Sequence, residues 1–311
     1  MVESRVSFGL WKKRNARDAV AAVVEAEGLG LPALWLDVSR DVPDPATFFA
    51  AALWATESIA LGLGIVPTYP RHPAVLANQA QALFQIGGER TRLGVGPSHA
   101  HIVRDAYGLP FTRPLAHLRE YLTILRALTK EGACRFAGEF YTVDLALDSL
   151  APLPLYMSAL RPRAMHLAGE LADGALAWLA PIDYLRDESL GHLSAGAAEA
   201  GRARPRLVGS WPCVVSEDPA AVWDAVGPML ANYGDLPFYA GMLQAAGVTP
   251  STERWAERDL DRVVFWGAPD RIAEQVRHAL DQGIDEVSLN LFSAQPVADL
   301  GALLPTLRGL F

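Results

Sequence analysis

Cysteine is nearly absent. Cys134 and Cys213 are the only two in 311 residues, and neither has a partner at metal-ligand spacing, so a disulfide framework and a zinc site are both excluded and no metal is expected. Long apolar runs are missing too: the longest, Phe48–Ala55, is far short of the roughly 20 residues that a membrane span needs. Met1–Gly9 interleaves Glu3 and Arg5 with apolar residues, which does not form the apolar segment of a signal peptide. We therefore expect a cytoplasmic protein with no membrane partner. Positive charge is in deficit, with 27 Lys and Arg against 35 Asp and Glu and a net charge of −8. That sign disfavours a nucleic-acid partner, which would require a basic patch.

What the chain does have is apolar material, 51% of its residues against 20% charged, enough for a large core. Short β-rich runs alternate with longer amphipathic ones from end to end, the pattern of repeated βα units around a parallel sheet. Strands are expected at Val6–Leu10, Ala33–Asp37, Ile59–Val66, Arg92–Gly96, Leu153–Ser158, Gly174–Trp178, Leu207–Val215 and Glu286–Phe292. Arg17–Leu29 carries a three-to-four apolar spacing and closes among glycines, as a helix end should. Asp44-Pro45 pairs an N-cap with proline at the first helical position, and Pro73, Pro162 and Pro269 open further helices. Two gaps exceed ordinary loops: Pro97–Pro152, with a strong helix over Arg113–Lys130, and Ser216–Val264. No linker or internal repeat divides the chain. The expected fold is one α/β domain over 1–311, a (β/α)8 TIM barrel with insertions after strands 4 and 7, whose following loops wall a pocket at the C-terminal face.

Nucleotide and hydrolase motifs are incomplete. Gly28-Leu29-Gly30, Gly62-Leu63-Gly64 and Gly94-Val95-Gly96 each lack the third glycine of a dinucleotide fingerprint, and no glycine–lysine phosphate loop, zinc-protease helix or nucleophile elbow occurs. Leu153–Gly174 is more informative. A strand there runs into small residues before Pro162 starts a helix, so Ser158, Ala159, Leu160, Arg161 and Arg163 could cradle a phosphate at a positive helix end. An ordinary βα turn with solvated arginines is the alternative.

That stretch, down to its closing Ala168-Gly169-Glu170-Leu171-Ala172-Asp173-Gly174, resembles the phosphate-binding strand and helix of the luciferase-like monooxygenase superfamily. Gly64-Ile65-Val66 through Pro70–Ala77, Arg92–Gly96, Arg119-Glu120-Tyr121 and Phe140-Tyr141 resemble further family segments in the same order. The resemblance implies a non-proline cis peptide at Gly64–Ile65 behind the cofactor ring, Asp37 on the ring or substrate side of the pocket, and Gly96 and Ser98 with the loop to His101 against the cofactor. Asp173 is expected to be structural. Asp37 has a loop cap as its alternative role, and His99 and His101 a plain polar loop.

Deazaflavin-dependent sugar dehydrogenases of the superfamily carry a glutamate where this chain has His99 and a histidine where it has Val38, so their mechanism is in doubt here. A histidine can still exchange a proton during reduction of another substrate, leaving Asp37, His99 and His101 as the candidate catalytic residues. The run 231–247, anchored by Tyr233 and Pro237, is similar to deazaflavin members. The expected function is therefore coenzyme F420-dependent hydride transfer to or from a small organic substrate, which a deazaflavin supports as a two-electron carrier. The alternatives are an FMN-dependent monooxygenase using reduced flavin and oxygen, and a barrel that binds flavin without turnover. Loop aromatics, with Tyr69, Trp178 and Tyr239 placed in the substrate pocket, point to a mostly apolar ligand. Asn290 is a further residue of the pocket or of barrel packing. A homodimer through helices two and three is implied, with Phe48, Phe49 and Trp54 as the apolar face unless they pack on the barrel.

Overall fold

The computed structural model describes residues 4–10, 15–38, 43–251, 254–293 and 296–311. Eight parallel strands close into a ring: β1 (Val6–Leu10), β2 (Ala33–Leu36), β3 (Ala60–Pro67), β4 (Thr91–Gly96), β5 (Leu155–Ser158), β6 (Gly174–Trp178), β7 (Arg206–Val214) and β8 (Glu286–Leu291). Each strand pairs with the next, and β8 pairs back onto β1 from Val6↔Val287 to Gly9↔Asn290. A two-residue strand, Phe265–Trp266, adds to β7 at Cys213 and Val214. The expected barrel is the observed one, with strand limits shifted by a few residues at most. β5 starts late because Leu153 N–H turns back to the Ala151 carbonyl.

The principal helices are α1 (Ala16–Gly28), α2 (Pro45–Ala55), α3 (Pro73–Gly87), α4 (Pro114–Arg126), α5 (Pro162–Leu171), α6 (Leu190–Glu199), α7 (Pro219–Gly234), α8 (Pro237–Ala245), α9 (Pro269–Asp281) and α10 (Pro296–Leu307). Proline stands at the first turn of α2, α3, α4, α5, α7, α8 and α9, where its fixed φ suits the helix and its missing N–H costs nothing. Asn15 and Asp44 cap α1 and α2 through side-chain oxygens, at 3.0 Å each.

Inside the barrel, large side chains of some strands fill the space left by glycines of others. A Cβ on Gly62 would lie 2.4 Å from the Trp35 ring, and one on Gly174 would lie 2.2 Å from Tyr156. Trp35 and Tyr156 meet edge to face at 5.0 Å. Under them lies a charge that the hydrophobic pattern did not announce. Glu286, wholly buried, accepts from the Trp35 indole at 2.9 Å and from Arg92 Nη1 at 2.9 and 3.1 Å. Arg206 approaches the same carboxylate at 3.4 Å. Gly62, one of the glycines considered for nucleotide binding, thus serves barrel packing.

The insertion after β4 carries α4 as expected, but the helix changes at Arg126 into a π-type turn over Ala127–Glu131, where a uniform helix to Lys130 was expected. It also carries an unexpected antiparallel hairpin, Ala133–Ala137 with Thr142–Ala146. Cys134 and Val143 are its buried residues, and its turn is fastened by Glu120, whose carboxylate accepts from the backbone N–H of Glu139, Phe140 and Tyr141. The insertion after β7 is helical, built of α7 and α8. Phe48 and Phe49 belong to the core, the barrel-packing alternative given for them. Trp54 remains 81% exposed.

Replacing Glu286 by alanine removes the carboxylate that Arg92, only 8% exposed, and the Trp35 indole both bond. The expected loss is about 3–5 kcal/mol of unfolding free energy, read from urea denaturation. A change within about 0.5 kcal/mol would contradict the role assigned to this pair.

Candidate active site

A cavity of about 760 Å3 lies at the carboxyl ends of the strands. From β2 and its end come Trp35, Asp37 and Val38; from β3, Gly64, Ile65 and Pro67. The Gly64–Ile65 peptide is cis, and the β3–β4 register shifts between Leu63 and Val66. Barrel-side walls are completed by Leu176, Val208, Ser210, Ser288 and Asn290. Asn290 donates to Ser210 Oγ at 2.8 Å, while its Oδ1 occupies the place where a Cβ on Gly9 would be, 1.6 Å away. That contact needs glycine at position 9.

One side of the cavity is formed by Ser158, Ala159, Leu160, Arg161 and Arg163. Pro162 opens α5, the N-cap Arg161 makes no side-chain cap bond, and no acidic residue stands in the first turn. The positive end of the helix dipole and two guanidiniums thus meet with no local carboxylate in that turn to neutralise them, the arrangement that favours an anion. Neighbouring elements hold the turn. Ala159 N–H donates to the Leu176 carbonyl at 3.0 Å, and Tyr184 donates from its hydroxyl to the Leu160 carbonyl at 2.9 Å. Gly96 stands behind Ser158, since a Cβ there would come within 2.3 Å of Ser158 Oγ. The Arg161 guanidinium lies against Gly241 of α8, where a Cβ would meet its Nη1 at 2.0 Å.

The other side is aromatic. After β4, Ser98 takes a left-handed φ of 60°, a conformation that costs a non-glycine residue energy and tends to gather at functional sites. Beyond it, His99 and His101 stack at 5.9 Å. Across from His99 stand Tyr233 at 6.1 Å and Tyr239 at 6.0 Å, from α7 and α8, and Trp178 at the end of β6 lies 6.2 Å from Tyr233. Burial, with a smaller contribution from His101, lowers the His99 pKa to about 4, so its ring is neutral at pH 7. Burial pushes the tyrosine hydroxyls of Tyr233 and Tyr239 up, and the Asp37 carboxylate adds to this at both.

The luciferase-like monooxygenase family model matches residues 3–286. The chain belongs to that family. A Mycobacterium tuberculosis protein provisionally named as a coenzyme F420-dependent oxidoreductase is 26% identical over 345 aligned positions, covering 96% of this chain and 97% of the relative. Among solved structures, the coenzyme F420-dependent tetrahydromethanopterin reductase from Methanopyrus kandleri superposes with a TM-score of 0.82 at 20% identity, covering 97% of this chain and 99% of that one. The oxygenating constituent of 3,6-diketocamphane monooxygenase from Pseudomonas putida, in complex with FMN, gives a TM-score of 0.74 at 18% identity, covering 98% and 96%. At these identities the two structures show the fold.

Within this luciferase-like barrel, the cavity brings together Asp37, Gly64, Ile65, Ser98, His99, His101, Ser158, Ala159, Leu160, Arg161, Arg163, Trp178 and Tyr239. Tyr69 is placed differently from its expected pocket position. Its ring packs edge-on against His117 at 3.9 Å, and its hydroxyl donates to the Thr112 carbonyl at 2.8 Å. Asp173 is structural: it accepts from Leu155 N–H and pairs with Lys130 and Arg202. Sequence reasoning did not assign Trp35, Ile102, Leu115, Leu118, Met229, Asn232 or Tyr233 to the wall. For Leu115 and Leu118 the signal was present, a three-residue spacing on one face of α4.

Following the His99 ring by NMR over pH 3–8 should give a midpoint near 4. Because folding lowers that pKa, stability contributed by the neutral ring is complete above about 6.5 and is lost as pH falls toward 4. A midpoint of about 6 to 7 would place the ring in water and contradict the geometry.

Proposed function

We propose that this chain is a coenzyme F420-dependent oxidoreductase that transfers hydride to or from a small organic substrate. The observation that carries the reading is the pairing, in one cavity, of an anion-favouring helix end at Arg161 and Arg163 with a wall of Ile65, Leu176 and Val208. The donor set suits a phosphorylated tricyclic cofactor. A deazaflavin, when bound, supplies two-electron hydride chemistry. Arg161, Arg163 and the amino end of α5 would hold its phosphate, while Gly64 and Ile65 would back its ring. The name carried by the full-length mycobacterial relative supports F420 over FMN.

Protein groups then divide the remaining work. Leu115 and Leu118 of α4 and Met229 of α7 keep water from the cavity and shape it for an apolar substrate. His99, neutral at pH 7, is not charged as a proton donor there, and His101 and Asp37 are the other candidate proton-exchanging groups of the cavity. FMN with oxygen is the second reading, because the same arginines could take its phosphate and the fold is shared with an FMN-bound monooxygenase. Product analysis separates the two: an oxygenated product formed from substrate with reduced FMN and O2 supports monooxygenation, whereas substrate-dependent oxidation or reduction of F420 with no oxygen incorporated is expected for the F420 enzyme.

Arg161→Ala combined with Arg163→Ala should weaken F420 binding by about 100-fold or more, since a hydrogen bond to a charged group contributes about 1.5–3 kcal/mol and each 1.4 kcal/mol is tenfold. Quenching of cofactor fluorescence reports the affinity, and thermal melting checks the fold. Unchanged affinity in a folded variant would remove both arginines from the site.

A further inference from the structure

The aromatic side of the cavity has a geometry that the cofactor reading leaves unused. Tyr233 and Tyr239 meet edge to face at 4.7 Å with their planes 68° apart, Trp178 stands at 62° to Tyr233, and His99 makes angles of 77° and 52° with the two tyrosines. Rings set at such angles bound a corner with several π faces instead of forming one stack. All four line the cavity, and Asp37 lines it too, as the only acidic residue among the described lining residues. Its charge is felt at both tyrosines. Aromatic rings lining a cavity with a carboxylate attract an organic cation, whose diffuse charge is held by ring quadrupoles without a demand for hydrogen bonds.

We propose that the corner bounded by Tyr233, Tyr239, Trp178 and Asp37 recognises a positively charged nitrogen of the substrate, an alkylated ammonium or an iminium. For an iminium the chemistry balances simply, with reduced deazaflavin as the reductant. The hydride adds to the carbon of C=N+, the π pair becomes the nitrogen lone pair, the substrate is reduced to a neutral amine, and the cofactor is oxidised, its second hydrogen leaving as a proton to water. No proton is required at nitrogen. That suits surroundings in which His99 is neutral and the tyrosine hydroxyls hold their protons tightly. The redox partner in this step rests on the F420 reading; cation recognition by the corner does not.

Arg161 and Arg163 line the same cavity and repel a cation until an anion neutralises them. Cation binding should therefore tighten when a phosphorylated cofactor is present, and cofactor binding should tighten reciprocally.

The test is a calorimetric titration of the protein, with and without oxidised F420, using choline and its neutral isostere 3,3-dimethylbutan-1-ol. Choline is expected to bind about tenfold or more tightly than the isostere, in keeping with a desolvated cation–π contact. Tyr239→Leu should abolish that preference and Tyr239→Phe should keep it, with melting curves confirming that both variants fold. Equal binding of the two probes, no binding of either, or an undiminished preference in folded Tyr239→Leu would overturn the proposal. F420 affinity, followed separately by fluorescence, keeps the two readings apart. A choline preference in a protein that does not bind F420 supports the corner and refutes the cofactor, whereas F420 binding without a choline preference does the reverse.

Discussion

Closure of the sheet is the constraint from which the rest follows. Once β8 pairs with β1 from Val6↔Val287 to Gly9↔Asn290, no strand of the ring keeps a bare edge, and all eight carboxyl ends face the same side. Closure also confines the inward side chains. Trp35 and Tyr156 fit only because Gly62 and Gly174 leave room, and their rings lie over the Glu286–Arg92 pair. A buried ion pair is an uncertain contributor to stability. Here its clearer effect is directional, since the indole that bonds Glu286 also forms part of the cavity wall.

The site divides by origin. Strand ends and the turn after β5 supply the groups suited to an anion and a flat ring, while the insertions supply Leu115, Leu118, Met229, Tyr233 and Tyr239. Rigid barrel strands hold one half and inserted helices the other, so the second half can change while the first is kept. The two halves touch where the Arg161 guanidinium lies against Gly241 of α8.

Much of the barrel was legible because its periodicities are strong. Proline-opened helices and alternating βα runs located all eight strands, and the turn from Ser158 to Arg163 could be read from small residues followed by Pro162. The hairpin over Ala133–Ala146 does alternate, Cys134 and Phe136 about Arg135 and Val143 and Leu145 about Asp144, but two five-residue strands make a short signal, and their anchor, Glu120, lies on another element. Glu286 was hidden for a similar reason: its partners Arg92 and Trp35 come from β4 and β2, and only closure brings them together. Tyr69 was misplaced because an aromatic near a strand end looks the same in sequence whether it faces the cavity or, as here, the His117 cluster. Tyr233 was visible as a family-like anchor, but its role in the wall depends on how α7 folds over the strand ends.

The central claim is that the amino end of α5 grips the phosphate of a cofactor whose ring lies against Gly64 and Ile65. A crystal structure of the protein soaked with F420 tests it most directly. The account expects phosphate density within hydrogen-bonding distance of Arg161 or Arg163 and the deazaflavin ring against the β3 end. Phosphate density at another site, or a ring lying outside the barrel mouth, would contradict it.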